Sequence, residues 1–457
     1  STSNGIECYK MSNMVGAGDF TYKLTIKDKV IGDGKIASMI YKEGISYPTI
    51  ECDIGIVDTS SKSMLSDLPL RNGEEVKLNF STGDGEDLEA NLVVYAVEGG
   101  GPSAADKSAL VLRCMSKEAM MNLSTRIEKL YKEMTPNDIV KNILSDGLKS
   151  TQEVSTGLDA ETLTITAMRD RPLDFICKIV CQKSIPSVTN TKGEGIGTAG
   201  YLFWQTSDGY HFKSMDELMG ANSAGKDSAP TSSSIKGDGS VDTYTFNTVT
   251  GADDAGSKEE SRTVRKLQFL TNNNIETQLI KGTRSNLVGF FDISSLRYNE
   301  AIYKLDGGNF KAMGHLGDSD GPSSDKNVST LWEDKPTRVM TRIINNEMYE
   351  STKEKAQEDR YDKIRQSLAQ QVVRADLFKN QKVEINIPGN AKLRAGDKII
   401  LQIYKSASGT DTADENRIDT KQSGYYLIAK VVHSIEQRMA MTHLLLLRDQ
   451  HNEVSDD

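Results

Sequence analysis

No stretch of the 457 residues approaches the roughly 18 consecutive apolar side chains of a membrane span, so a helical integral membrane protein is not expected. Cysteine is scarce. Cys8, Cys52, Cys114, Cys177 and Cys181 are odd in number and mostly far apart, which argues against a disulfide framework and for a reducing compartment. Net positive charge is absent: the formal balance is −10, which disfavours stable binding through nucleic-acid phosphates. The opening STSNGIECYKMSNMVGAGDF has neither a basic start nor an apolar core, so no secretory signal is expected and the chain reads as cytosolic when made. His211, His315, His433, His443 and His451 form no HExxH or other paired motif. Against these absences, 37% hydrophobic and 26% charged residues suit a soluble protein, and the length suggests about three or four domains.

The most informative stretch is C-terminal, 382–449. Val383, Ile385 and Ile387 alternate with Lys382, Glu384 and Asn386, the period of a half-buried strand. Pro388 donates no ladder hydrogen bond and ends the run, and Gly389–Asn390 supply turn conformations. Ile399, Leu401 and Ile403 repeat the alternation, and longer strands are expected over 425–435 and 439–447 around a tight connection. Short amphipathic strands with such punctuation describe a small antiparallel barrel or sandwich.

The wording of this stretch resembles the baseplate-hub proteins of contractile-tailed bacteriophages. The run IPGN-x-x-L-x-x-GD supplies Ile387, Pro388, Gly389, Asn390, Leu393, Gly396 and Asp397, and SG-x-Y-L-I-x-x-V-x-H-S-I supplies Ser423, Gly424, Tyr426, Leu427, Val431, His433 and Ser434. SMLSDLPLRNGEEVKLNF (63–80, with Leu68 and Pro69), RPLDFICKIVCQKSIPS (171–187), GYLFWQTSDGYHFKSMDEL (200–218) and the segment 280–305 are similar to other parts of that family, in the same order.

From Thr21 the chain alternates: Tyr22, Leu24 and Ile26 against Thr21, Lys23 and Thr25. Further strands are expected over 36–41, 49–57, 76–80, 88–97 and 109–115, separated by Gly-Asp-Gly and Arg-Asn-Gly turns. Helical spacing follows over 123–130 and 137–148, with Asn137 a cap after Pro136 and Ile139, Ile143 and Leu144 on one face. A short strand over 163–166 precedes a helix that Pro172 opens, running to Lys183 with Leu173, Ile176, Cys177 and Val180 inward. A hairpin is expected around Ser207, Asp208 and Gly209. Residues 220–262 are polar, with a marginal strand at 244–248, and order returns over 264–270. Another polar loop, 306–329, precedes a strand over 339–348. Ser351 and Glu354 form a capping box for a helix whose face is Ile364, Leu368, Val372 and Ala375.

Motifs for catalysis are weak. Gly195 to Gly200 spells G-x-G-x-x-G, but a polar loop precedes it and a strand follows, the reverse of a dinucleotide site. Gly317 to Gly321 spells G-x-S-x-G without the apolar strand and helix of a nucleophile elbow. Asp318, Asp320 and Asp325 lack the spacing of a calcium loop. Cys177 and Cys181, one helical turn apart, have no second pair for zinc and read as buried thiols. His433 falls inside a strand, where a hydrogen-bonded structural role is expected. No catalytic, cofactor or metal residue is assigned.

The residues and the resemblance together imply an α+β, mainly β, multi-domain protein with two small antiparallel β-barrel, tube-like modules flanking α/β elements. The expected division is an N-terminal tail (1–20), a first tube module (21–115), a middle region (116–219), a polar insertion (220–262), a second middle part (263–349), a linking helix (350–382), a second tube module (383–449) and a tail (450–457). The resemblance implies a non-enzymatic hub subunit of the virion, assembled in the host cytoplasm. It would be a homotrimer joining a hexameric tail tube to a trimeric central spike, contacting other baseplate proteins. DNA would cross its acidic or neutral channel without specific binding, and there would be no membrane insertion. The rivals are the hub of a contractile secretion system, which ordinarily continues into a needle-like repeat, and a secreted hydrolase or carbohydrate-binding β-protein.

Overall fold

In the N-terminal part, alternation is the dominant local signal. In the strand Glu75–Thr82, Val76, Leu78, Phe80 and Thr82 point inward while Glu75 and Lys77 face solvent, and the flanking strands repeat that period. The computed structural model describes residues 20–27, 29–31, 36–58, 71–82, 87–104, 107–157, 160–185, 200–220, 241–246, 261–272, 274–304, 315–317, 335–345, 348, 355–405, 418–436 and 439–450. Strands β1 (Phe20–Ile26), β2 (Lys29–Ile31), β3 (Ile36–Gly44), β4 (Glu51–Asp58), β5 (Glu75–Thr82), β6 (Asp87–Ala104) and β7 (Lys107–Ser116) come first. The middle contributes β8 (Ile127–Met134), β9 (Val154–Thr156), β10 (Leu163–Asp170), β11 (Tyr201–Thr206), β12 (Gly209–Ser214), β13 (Thr243–Phe246), β14 (Lys266–Asn272), β15 (Ser285–Asp292), β16 (Arg297–Lys304) and β17 (Arg338–Ile344). After the helix Lys355–Leu377 come β18 (Gln381–Pro388), β19 (Lys398–Ile403), β20 (Gly424–Glu436) and β21 (Met439–Arg448).

The chain is α+β and mainly β. Its principal feature is a 13-stranded sheet in the order β14-β18-β21-β20-β3-β4-β7-β6-β5-β1-β2, with β19 and β13 branching from β20. The two ends of the chain meet in the middle of this sheet, where β20 pairs antiparallel with β3 from Lys430–Gly44 to Glu436–Ser38. Two cores lie along it. One is built from Leu24, Met39, Ile54, Leu78, Leu92 and Leu112 and also takes Ala391, Ile435 and Ala440 from the C-terminal part. The other gathers Tyr244, Val383, Ile385, Leu401, Tyr426, Ile428 and Leu446. Around this second core the strands run β14-β18-β21-β20-β19-β13, and a single parallel bridge, Thr245–Thr263, returns the circuit to the chain entering β14. Among the described residues no sheet closes by full ladders. The terminal β-parts expected as separate barrels share one continuous sheet, because β20 is long enough to pair in both.

The middle of the chain adds the sheets β10-β8, β11-β12-β9 and β16-β15-β17. The segment 127–134, whose first four residues were expected to lie in a helix over 123–130, is a strand. The helix Lys117–Ser124 ends there, and pairing with β10 buries Ile127 and Tyr131, which outweighs the helix propensity of its Glu and Lys residues. Thr135, not Asn137, caps the next helix: its hydroxyl accepts from the Asp138 amide at 3.2 Å, with Pro136 in the first turn. The segment opened by Pro172 runs as α, π and α turns to Lys183, with Leu173, Ile176, Val180 and Cys181 buried and Cys177 half-buried.

The helix Lys355–Leu377 is rotated from the expected phase. Leu368, Ala369, Val373 and Leu377 enter the large middle core, while Val372 is half-buried. Ser351, Glu354 and the side chain of Ile364 lie outside the described residues. So do the tail 1–19, Gly195 to Ala199 of the glycine motif, and Asp318, Asp320 and Asp325.

Candidate functional site

The turn from β18 to β19 carries the IPGN-x-x-L-x-x-GD run and touches three parts of the molecule. Pro388 closes β18, and the Gly389 amide donates to the Ala440 carbonyl at 2.9 Å. A side chain at Gly389 would meet the Ala440 methyl at 2.6 Å. Asn390 is bonded three ways. Its amide donates to the Thr442 hydroxyl, its side-chain nitrogen to the Tyr244 hydroxyl, and its side-chain oxygen accepts from the Lys392 amide, each at 2.9 Å. The Ala391 amide then reaches the Thr82 hydroxyl of β5 at 2.9 Å.

The second half of the turn fastens the hairpin β11–β12. Arg394 donates through Nε to Asp208 at 3.1 Å and through Nη1 to the carbonyls of Ala391 and Leu393. The Ala395 amide donates to Glu43 Oε1 at 2.7 Å, and its carbonyl accepts from Trp204 Nε1 at 2.9 Å. Gly396 has φ +100, and its amide donates to the Ile428 carbonyl at 2.8 Å. The Asp397 carboxylate caps the turn by accepting from the Arg394 amide at 3.0 Å, and its carbonyl accepts from the Ile428 amide.

The remaining motif residues surround this turn. His433 is fully buried, 3.0 Å from the Thr442 hydroxyl, stacked against Tyr41 and tilted against Phe80. Burial, with Arg394 nearby, pushes its pKa down to about 3 and keeps it neutral. Gly424 opens β20 at φ +135; the Tyr426 hydroxyl donates to the Gln422 carbonyl at 2.7 Å, with Arg448 over its ring. Leu68 and Pro69 lie outside the described residues.

Several residues of this joint were invisible to pattern reading. Glu43 is buried, accepts also from the Tyr41 hydroxyl at 2.9 Å, and is pushed up to about 7 by burial, against the opposing pull of Arg394 and its hydrogen bonds. A second buried cluster fastens the linking helix. Arg374 contacts Asp216 at 2.8 Å and Asp449 at 3.1 Å, and His315 Nδ1 lies 2.6 Å from Asp449. Burial acts to raise the Asp449 pKa, but His315, Arg374 and the Leu316 amide outweigh it and hold it at about 2. The available signal was an arginine beside Val373, next to the helix's apolar stripe.

Chemically, this arrangement fastens. The named polar atoms of the turn are spent on partners within the chain. Among the described residues no group of three or more His, Cys, Asp or Glu could hold a metal ion. Replacing Trp204 by phenylalanine leaves the buried Ala395 carbonyl without its donor. It is expected to lower stability by about 2 kcal/mol in denaturant titration.

No family model and no curated protein sequence matches the chain. Solved structures do. The tail protein from Neisseria meningitidis MC58 is 12% identical and aligns with a TM-score of 0.52 over 94% of this chain and 96% of its own. The 43 kDa tail protein of prophage MuSo2 from Shewanella oneidensis is 10% identical, with a TM-score of 0.51 over 94% and 99%. The chain shares the fold of these two tail proteins along nearly its whole length.

Proposed function

We propose that this chain is a structural, non-enzymatic hub subunit of a phage tail baseplate. It would form a homotrimeric ring of pseudo-sixfold outline between a hexameric tail tube and a trimeric central spike. The observation that carries this reading is the β3–β20 ladder, which sets the two terminal β-parts side by side in one sheet. Two similar elements per chain, repeated by a threefold axis, present six to a hexameric partner and three to a spike, and closed cyclic symmetry makes that available. The fold likeness to two tail proteins, one of them from a prophage, along 94% of the chain supports it. In this reading residues 21–115 and 383–449 are the tube modules, the intervening residues decorate them, and the particle assembles in the host cytoplasm into the virion.

The outward face of the shared sheet is the proposed channel wall. Two of its cations are neutralised locally: Lys42 pairs with Asp53 at 2.9 Å, and Arg113 with Asp53 at 3.1 Å and Glu98 at 3.0 Å. Such a wall lets DNA pass without holding phosphates. Sedimentation equilibrium across micromolar concentrations tests the assembly. The expected mass is three times 50.3 kDa. A monomer or a twofold dimer throughout that range contradicts it.

A further inference from the structure

Glu43 sits where the shared sheet, the 388–397 turn and the β11–β12 hairpin meet, buried and bonded by neutral donors: the Ala395 amide at 2.7 Å, the Tyr41 hydroxyl at 2.9 Å and the Ser207 backbone of the hairpin turn. The nearest guanidinium, Arg394, is engaged elsewhere. It donates to Asp208, whose side chain is 63% exposed, and to the Ala391 and Leu393 carbonyls. A buried carboxylate and an exposed one therefore compete for a single arginine. The other titratable groups facing this joint are Tyr41 and Cys52 from β3 and β4, His433 from β20, Asp397 from the turn, and Lys213 and His211 from β12.

We propose that this joint is a protonation-gated clasp. With Glu43 neutral, Arg394 holds Asp208 at the tip of the hairpin; with Glu43 ionised, Arg394 turns inward to it and releases Asp208. Burial places the Glu43 transition at about 7, near neutral pH. Its folded pKa lies above the ordinary value of 4.5, so its stabilising contribution is complete below about 4.5 and is lost as pH rises through about 7. His433 and His211, lowered to about 3 and about 4, stay neutral across that window. This inference is independent of the trimer.

Trp204 reports on the joint directly, because its indole donates to the same Ala395 whose amide donates to Glu43. In a Trp332→Phe background the emission of Trp204 is expected to shift to longer wavelength as pH rises, with a midpoint near 7. Glu43→Gln abolishes the transition. Asp208→Asn frees Arg394 for Glu43 and moves the midpoint to lower pH, an effect a merely structural Asp208 would not have. Asp397→Asn leaves the transition in place. An emission that stays flat between about pH 6 and 8, a Glu43→Gln protein that titrates like its parent, or an unmoved midpoint in Asp208→Asn overturns the proposal.

Discussion

Replacing Arg374 by methionine is expected to destabilise the protein by about 3–5 kcal/mol at neutral pH. The side chain is wholly buried and contacts two buried carboxylates, Asp216 and Asp449, so removal strands negative charge where water cannot reach it. Methionine keeps most of the volume, so the loss reports charge rather than a cavity. The pH response identifies the cause. In the parent, Asp449 ionises at about 2, below its ordinary 3.8, so its contribution is present above about 3.8 and is lost as pH falls through 2. Without Arg374 that depression weakens, and acidification from pH 7 to 5 should narrow the gap between variant and parent. Adding Asp216→Asn and Asp449→Asn to the variant should recover much of the loss. Denaturation midpoints at the two pH values check both points. A variant within about 1 kcal/mol of the parent at pH 7 would mean that the cluster carries no such weight.

The second large effect is expected at Gly396. Its φ of +100 is one that side chains rarely adopt, and an added Cβ would lie 2.7 Å from Trp204 Cζ2. Gly396→Val combines backbone strain with a clash against a buried indole and is expected to cost about 3 kcal/mol or more. It should also change the near-ultraviolet circular dichroism of Trp204. Gly73 is the matched control. Its φ is +92, but nothing lies within 4 Å of an added Cβ, so Gly73→Ala should cost only the backbone part, about 1 kcal/mol. If the two variants lose stability equally, the packing of the turn on Trp204 is not what holds the hairpin.

What could be read in advance follows from how locally each feature is encoded. β1, β5 and β18 were legible because one face of each is the more buried, so the pattern of period two survives in the sequence. Gly389 and Asn390 were legible as a turn, and their contacts explain why these residue types stand there: close approach to Ala440, and a side-chain amide bonded at both its oxygen and its nitrogen. β8 was misread because only Ile127 and Tyr131 of its eight residues are buried, too few to mark a strand. The phase of the linking helix was misjudged because Val372 and Val373 are adjacent and tertiary packing selects between them. Glu43, Arg374 and Asp449 could not be picked from 65 acidic and 55 basic residues, since burial depends on partners distant in the chain. The β3–β20 ladder, between residues almost 400 apart, left no local trace.

The central claim is that two β-parts on one sheet let three molecules meet a sixfold partner. Electron-microscopic class averages of the purified chain, alone and with a trimeric spike, test it most directly. The account predicts a closed ring with a threefold axis, six similar lobes around its rim and an open centre. Particles that remain single, pair about a twofold axis, or form rings whose two β-parts sit at different radii would contradict it.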